Sequence, residues 1–290
     1  MASSDPIGPH RAAIVGSPVA HSLSPVLHGA AYRALGLTHW TYERFDCPAD
    51  QLPALVAGLS SAWAGLSVTM PDKRAALAIA DERTERAVAV GAANTLARRP
   101  DGGWRADCTD VAGVTGALTA AGGYRPVPDA TGLVLGAGGT AAAALAGLAE
   151  LGVSTVILVV REPARATETA ATAERLGIRL DIRRWSDTDL RASAADAAVV
   201  VSTVPAAAVA PHVDELAEAP CLLDVIYHPW PTPLADAVHR NGSRLATGLD
   251  MLLHQAFDQV EQFTAHKAPR TAMRDALRAA TGDTLPLPLG

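Results

Sequence analysis

The chain has 290 residues, of which 49% are hydrophobic and 19% are charged, a composition typical of a globular protein with one or two domains. Its net charge of −6 and its lack of a long basic run exclude a nucleic-acid or anionic-membrane surface. We expect a cytoplasmic protein without a membrane partner, because no apolar run is as long as a membrane span and no signal pattern begins the sequence.

The first 110 residues alternate short apolar stretches with helical ones. We predict strands over 11–15, 39–45, 64–70, 94–99 and 103–107, and helices over 25–35, 48–58, after Pro71 and over 110–121. The last two strands form a hairpin whose turn is Pro100 to Gly102. Ser24 and Pro25 fit the start of the first helix, since a serine oxygen caps free N–H groups and proline suits the first helical position. That leaves the neighbouring Ser22 without a structural role.

From Thr131 onward the pattern becomes more regular. A strand that begins at Thr131 runs into glycines and an alanine-rich helix, and further strands are predicted over 154–160, 178–185, 197–202 and 221–226, with helices over 164–176 and within 248–280. Near-continuous apolar strands separated by helices are typical of a parallel sheet covered on both faces. The sequence therefore predicts the α/β fold class.

A glycine turn, GAGGTA at 136–141, follows the first strand of this second half and begins a helix. That context is the one a dinucleotide-binding fingerprint requires. Gly136 permits the tight turn, and Gly138 lets the backbone approach a pyrophosphate at the helix N-terminus. The residues of this turn that we expect to bind a cofactor are Gly136, Ala137, Gly138, Gly139 and Thr140.

The end of the next strand, VVREPAR at 159–165, bears on which cofactor binds. Arg161 and Arg165 are placed to face a 2′-phosphate, which favours NADP. Glu162 favours the alternative, NAD, because a carboxylate accepts hydrogen bonds from ribose hydroxyls. We expect NADP and leave NAD as the alternative.

Lysine is scarce: among 24 basic residues only Lys73 and Lys267 are lysines. This excess of arginine is typical of a coding bias that replaces lysine by arginine wherever either residue serves. A lysine that persists can be needed as lysine, because arginine does not give up its proton in a protein. A solvated surface lysine is the alternative interpretation of either position.

Seven motifs appear in order and together resemble the shikimate dehydrogenase family. They are HSLSP (21–25), SVTMPDK (67–73), GAANT (91–95), TDVAG (109–113), GAGGTA (136–141), DVIYHPWPTPL (224–234) and GLDMLLHQA (248–256). The resemblance extends from about residue 11 to 280. It implies the NADPH-dependent, reversible reduction of 3-dehydroshikimate to shikimate, a step in the biosynthesis of chorismate and aromatic amino acids.

The same resemblance implies two α/β domains with a cleft between them. Residues 1–110 plus 248–290 would form the substrate-binding catalytic domain, and 111–247 a Rossmann-type NADP-binding domain with a doubly wound parallel sheet. The expected partners are small molecules, in a monomer or homodimer.

Site residues are implied by the resemblance position by position. Lys73 and Asp110 match the family's acid–base pair. Ser22, Ser24 and Tyr227 would bind the substrate carboxylate, Thr69, Asn94 and Gln255 would meet the ring hydroxyls and the carboxylate side, and Val225, Gly248 and Met251 would lie by the nicotinamide. For Asp110, a residue next to a threonine before a helix, capping is the alternative role.

The sequence departs from the family pattern in two motifs. Cys108 stands where the family commonly has asparagine, and Val160-Arg161-Glu162 stands where the family usually has Asn-Arg-Thr. The cysteines Cys47, Cys108 and Cys221 are isolated, and the histidines lack metal spacing, so we expect no metal, disulfide framework or zinc site. Two other functions stay open: a quinate or aminoshikimate-type dehydrogenase that uses NAD, and a non-catalytic sensor of such ligands or of a dinucleotide.

Overall fold

The computed structural model describes residues 10–290 and divides into two compact units. Within the described residues, unit 1 comprises 10–87, Ala92–Asp107 and Ala256–Thr284, and unit 2 comprises Val88–Gly91, Cys108–Gln255 and Leu285–Gly290. Each unit has its own sheet and its own hydrophobic core. The division into a substrate domain and a cofactor domain stays a prediction.

Each unit contains one six-stranded sheet. The strands of unit 1 are β1 (His10–Gly16), β2 (Trp40–Asp46), β3 (Trp63–Val68), β4 (Glu82–Arg83), β5 (Thr95–Arg98) and β6 (Trp104–Asp107), and those of unit 2 are β7 (Thr131–Leu135), β8 (Thr155–Val160), β9 (Arg179–Arg184), β10 (Val199–Ser202), β11 (Cys221–Asp224) and β12 (Arg244–Thr247).

Helices flank both sheets. They are α1 (Ser24–Ala34), α2 (Leu52–Ala57), α3 (Lys73–Ile79), α4 (Glu85–Val90), α5 (Asp110–Ala120), α6 (Gly139–Glu150), α7 (Thr167–Leu176), α8 (Leu190–Asp196), α9 (Ala206–Val209), α10 (Val213–Leu216), α11 (Pro233–Arg240), α12 (Gly248–Thr264) and α13 (Arg270–Ala280). Within residues 10–290, no helix combines the length and the apolar character that crossing a bilayer demands.

The sheet of unit 1 is mixed, in the order β2-β1-β3-β5-β6-β4. β1 lies parallel to β2 and β3, whereas β5 is antiparallel to β3 and β6. The antiparallel pair β5–β6 confirms the predicted hairpin, since Arg98 pairs with Trp104 across the turn.

The sheet of unit 2 is wholly parallel, in the order β12-β11-β10-β7-β8-β9. Counted from the first strand of the unit, this is the 3-2-1-4-5-6 order of a doubly wound dinucleotide-binding fold. All four residues of β10 and of β11 are buried, which explains why the first three residues of each strand are apolar. The predicted α/β class and the parallel sheet are confirmed.

Several elements went unpredicted. The helix α11 begins with Pro233, and the Thr232 hydroxyl accepts a hydrogen bond from the Ala235 amide. A threonine followed by proline is a helix-start signal that the sequence already carried. The helix α8 is capped in the same way by Asp189, whose carboxylate accepts from the Ala192 amide.

The expectation that Ser24 caps α1 is wrong. The helix begins at Ser24, and the residue at its N-cap position is Leu23, whose side chain makes no capping hydrogen bond. The first amide of the helix, that of Ser24, donates to the Ser22 hydroxyl, so Ser22 has the structural role that the sequence did not give it. The Ser24 hydroxyl is engaged instead by Ser22 and Tyr42. Pro25 does lie in the first turn, as predicted.

Candidate functional site

The glycine turn of unit 2 joins β7 to α6, as the sequence predicts. Gly136 has a φ of +100°, and a Cβ there would lie 2.7 Å from Thr203 Oγ1 and 2.8 Å from Val204 Cγ1. Only glycine meets both demands without strain. Gly138 precedes α6, and a Cβ built there has no neighbour within 4 Å, so the space before the helix N-terminus is open.

The turn opens onto a cleft of about 1180 Å³ within unit 2. Five residues predicted from sequence to bind a cofactor line this cleft: Gly136, Ala137, Gly138, Arg161 and Arg165. Glu162, which departs from the family pattern, lines it as well. Gly139 and Thr140 form the first turn of α6, where free N–H groups favour an anion. A tight turn, an open helix start and a large basic cleft together fit an adenine dinucleotide.

Sequence reasoning missed the far wall of the cleft, which includes Arg184, Trp185 and Thr203. Arg184 ends β9 and pairs in register with Val160, the last residue of β8. Because neighbouring parallel strands end at the same edge of a sheet, a basic residue at the end of the third strand was the signal that could have found it.

Arg184 also bears on the choice between NADP and NAD, because it contacts Glu162. Its Nη2 atom donates to the Glu162 carboxylate at 3.3 Å. The carboxylate that favoured NAD in the sequence is therefore paired with a third arginine of the cleft.

A second group in unit 2 lies where β11 and β12 end. A Cβ on Gly248 would overlap the Val225 carbonyl oxygen and lie 3.0 Å from the Tyr227 ring, so these three residues are in close contact. The segment is held by Asp224, whose carboxylate accepts from the Ile226 amide at 3.2 Å and from the Thr232 hydroxyl at 2.6 Å. Burial raises the pKa of Asp224, and these hydrogen bonds oppose that rise.

The helices α5 and α12 meet at another glycine. A Cβ on Gly113 would lie 2.7 Å from the Met251 carbonyl oxygen and 3.2 Å from Gln255 Cβ. Asp110 begins α5, one turn before this contact, and is buried. The residue at the N-cap position is Thr109, whose side chain makes no capping hydrogen bond, and Asp110 is the acidic residue of the first turn.

In unit 1 the segments that carry Thr69, Lys73 and Asn94 are tied by backbone hydrogen bonds. The Val68 amide donates to the Asn94 carbonyl at 2.7 Å, and the Ala93 amide donates to the Lys73 carbonyl at 2.8 Å. Thr69 follows β3, Lys73 begins α3 and Asn94 precedes β5. These three candidate residues therefore lie along one edge of the unit 1 sheet.

Ser22 and Ser24 lie next to each other at the start of α1. The Ser22 hydroxyl is 3.2 Å from that of Ser24 and accepts from the Ser24 amide at 3.3 Å. Ser24 is buried and also hydrogen-bonds Tyr42. The Arg44 guanidinium donates to the Ser22 carbonyl at 2.7 Å and fixes this segment against β2.

Gln259 is a buried residue that sequence reasoning did not identify. Its Oε1 accepts from the Ser67 hydroxyl at 2.8 Å, and its Nε2 donates to Thr95 Oγ1 at 3.1 Å and to the Asn94 carbonyl at 3.3 Å. The Tyr42 hydroxyl donates to Ser67 at 2.7 Å. We call these five residues the Gln259 network; it connects the strands β2, β3 and β5 to α12.

His28 packs against this network rather than binding a metal. Its ring stacks on Tyr42 at 4.0 Å, and its Nε2 lies 3.3 Å from Gln259 Oε1. Burial lowers the pKa of His28 to about 3, so the ring is neutral at physiological pH. Across residues 10–290 no cluster of three or more metal-ligating side chains is present.

Two family models and several relatives match this chain. Residues 14–96 match the substrate binding domain of shikimate dehydrogenase, and residues 248–278 match the C-terminal domain of shikimate 5′-dehydrogenase. The shikimate dehydrogenase (NADP(+)) of Methylobacterium radiotolerans is 39% identical over 274 residues, which cover 92% of this chain and 95% of that protein. The chain belongs to the shikimate dehydrogenase family.

Solved structures of shikimate dehydrogenases have the same two-domain fold. That of Mycobacterium tuberculosis is 53% identical, has a TM-score of 0.87, and is matched over 93% of this chain and 100% of its own. A shikimate 5-dehydrogenase from Thermus thermophilus, solved with NADP(H) and shikimate, is 31% identical with a TM-score of 0.76, over 93% of this chain and 99% of its own.

Proposed function

We propose that the chain is an NADP-dependent oxidoreductase that interconverts shikimate and 3-dehydroshikimate. Family membership supports the activity, and the basic cleft beside the glycine turn supports NADP. The single observation that carries the choice of NADP is the pairing of Glu162 with Arg184, because a paired carboxylate no longer opposes a 2′-phosphate. Three arginines then line one cleft: Arg161, Arg165 and Arg184.

NADPH, when bound, supplies a hydride to the carbonyl carbon of 3-dehydroshikimate. Lys73 donates a proton from Nζ to the carbonyl oxygen, so that the oxygen leaves the step as a hydroxyl. Asp110 orients the Lys73 ammonium and accepts a hydrogen bond from a substrate hydroxyl. In the oxidation direction the same two residues act in reverse, with Lys73 receiving the proton.

The other candidate residues position the two small molecules. We assign the substrate carboxylate to Ser22, Ser24 and Tyr227, and the ring hydroxyls and carboxylate side to Thr69, Asn94 and Gln255. A missing partner for one buried hydroxyl costs about 1–3 kcal/mol, so neutral groups of this kind discriminate between related ring compounds. Val225, Gly248 and Met251 line the nicotinamide side.

We extend the proposal to domains, location and assembly. Residues 1–110 plus 248–290 bind substrate, and residues 111–247 bind NADP. Three buried cysteines that form no disulfide with one another support a reducing compartment, the cytoplasm. The enzyme acts on small molecules, with no nucleic-acid or membrane partner, as a monomer or homodimer.

The test is a matrix of initial rates, in which shikimate, quinate and an amino analogue are each oxidised with NADP and with NAD. We expect the highest kcat/KM for shikimate with NADP. A higher value for quinate with NAD would replace this function by the alternative dehydrogenase. Tight binding of shikimate with no turnover in any combination would indicate a non-catalytic sensor.

A further inference from the structure

The pair Glu162–Arg184 lies at the end of two adjacent strands of unit 2. Val160 at the end of β8 is in register with Arg184 at the end of β9, and Glu162 follows two residues after Val160. Both side chains line the cleft, as do Arg161 and Arg165. The acidic residue that would recognise a ribose hydroxyl therefore has a guanidinium as its neighbour.

The pair is open to water: the side chains of Arg184 and Glu162 are 46% and 49% exposed. Ion pairs of this kind are weak, because water and salt compete with each partner. A phosphate monoester carries up to two negative charges and three acceptor oxygens, whereas a carboxylate carries one charge. Arg184 contacts Glu162 through its Nη2 atom, so a phosphate that enters the cleft can bind the other N–H donors of the guanidinium while Glu162 stays beside it.

We propose that Arg184 is the residue that makes this cleft specific for a 2′-phosphorylated adenine nucleotide, by pairing with Glu162 and by binding the 2′-phosphate with its remaining N–H donors. The inference rests on the proposed function, whose cofactor site it details. Glu162 acts as the opposing element: left without Arg184, it repels a phosphate and accepts hydrogen bonds from the 2′- and 3′-hydroxyls of an unphosphorylated ribose.

This arrangement gives the two residues opposite effects on selectivity. Arg184→Gln removes a phosphate ligand and releases the Glu162 carboxylate, so selectivity for the phosphorylated nucleotide falls. Glu162→Gln removes the opposing charge, so selectivity rises. In the double variant, selectivity falls less than in Arg184→Gln, because no carboxylate is released.

The experiment is calorimetric titration of the full chain, without substrate, with adenosine 2′,5′-bisphosphate and with 5′-AMP. The ratio of the two dissociation constants isolates the 2′-phosphate. We expect Arg184→Gln to lower selectivity by about tenfold and Glu162→Gln to raise it severalfold. Arg183→Gln is the matched control: Arg183 is the adjacent residue of β9 and pairs with Asp181 at 2.7 Å, so its removal leaves the ratio unchanged.

The proposal is overturned if Arg184→Gln weakens both nucleotides equally, if Glu162→Gln lowers the ratio, or if the wild-type chain binds neither nucleotide. Oxidation of shikimate by the same preparations separates the two claims. Turnover with NADP but an unchanged ratio in Arg184→Gln rejects the role of Arg184 and keeps the function. The expected ratios without turnover of shikimate reject the function and keep the role.

Discussion

The two units hold their candidate residues in different ways. In unit 2 the glycine turn is positioned by backbone geometry within one strand–turn–helix segment, Thr131 to Glu150. In unit 1 one candidate residue, Asn94, is held by a side chain from a distant part of the chain, because Gln259 Nε2 donates to its carbonyl oxygen. The glycine turn is therefore specified by a few consecutive residues, whereas the position of Asn94 depends on contacts between residues far apart in the sequence.

The two sites should therefore be sensitive to different kinds of substitution. A turn fails when a side chain is added where only a hydrogen atom fits. A buried network fails when a side chain is removed and its partners are left unsatisfied. We therefore expect an added side chain to be harmful at the glycine turn of unit 2, and a removed side chain to be harmful in the buried network of unit 1.

We expect the largest loss of stability from a substitution at Gly136. Gly136→Ala places a Cβ against Thr203 and Val204 at a φ of +100°, and we expect a loss of about 4 kcal/mol in the free energy of unfolding. Gly138→Ala is the matched change, because its Cβ meets nothing. We expect this second variant to unfold like the wild type but to bind NADP at least tenfold more weakly, since the Cβ fills space that the pyrophosphate needs.

Urea denaturation and calorimetric NADP titration of the two variants measure these effects. Equal unfolding free energies for Gly136→Ala and Gly138→Ala would contradict the assignment of Gly136 to a conformation that only glycine adopts. Unchanged NADP affinity in Gly138→Ala would contradict a pyrophosphate at this turn.

The next largest effect is expected at Asp107 in unit 1. Its burial opposes the charged form, but hydrogen bonds from Arg86, Thr84 and Gln262, with the Arg86 charge, outweigh that effect and lower its pKa. The Arg86 Nη2 atom lies 2.6 Å from Asp107 Oδ2. Asp107→Asn should therefore reduce the free energy of unfolding by about 3 kcal/mol at pH 7.

The pH dependence of this loss follows from the sign of the shift. A carboxylate whose pKa is lowered on folding stabilises the protein above the ordinary aspartate pKa of 3.8, and that contribution is lost as the pH falls through the folded pKa. The difference between wild type and Asp107→Asn should shrink below that pH. Asp181→Asn, at an exposed pair, is the control and should change stability by less than about 0.5 kcal/mol. A difference that grows in acid would contradict the lowered pKa.

A smaller effect is expected at the centre of the Gln259 network. Gln259→Leu leaves the Ser67 and Thr95 hydroxyls and the Asn94 carbonyl short of a partner, which should reduce the free energy of unfolding by about 2 kcal/mol. Since Asn94 is a candidate substrate residue, KM for shikimate should rise while NADP affinity stays the same.

The control for this variant is Gln51→Leu, the same change at an exposed position before α2. It should alter neither stability nor KM. If both variants behave alike, the Gln259 network does not hold the candidate substrate residues in place.

The features that could be predicted from sequence are those specified by residues close together in the chain. The parallel sheet, the glycine turn and the place of Arg161 in its cleft follow from local patterns. Gln259 did not, because its contact with His28 joins residues 231 positions apart and a single glutamine in a helix carries no signal. The expected cap at Ser24 was wrong for a related reason: a distant residue, Tyr42, engages its hydroxyl.

We propose that Lys73 performs acid–base chemistry on a bound substrate. The direct measurement is kcat and KM for shikimate oxidation by Lys73→Met, with Lys267→Met as the control, since Lys267 is the other lysine of the sequence and is exposed. We expect kcat to fall by about 10²- to 10⁴-fold in Lys73→Met while KM and NADP affinity change little, and Lys267→Met to match the wild type. A Lys73→Met enzyme with the wild-type kcat would contradict it.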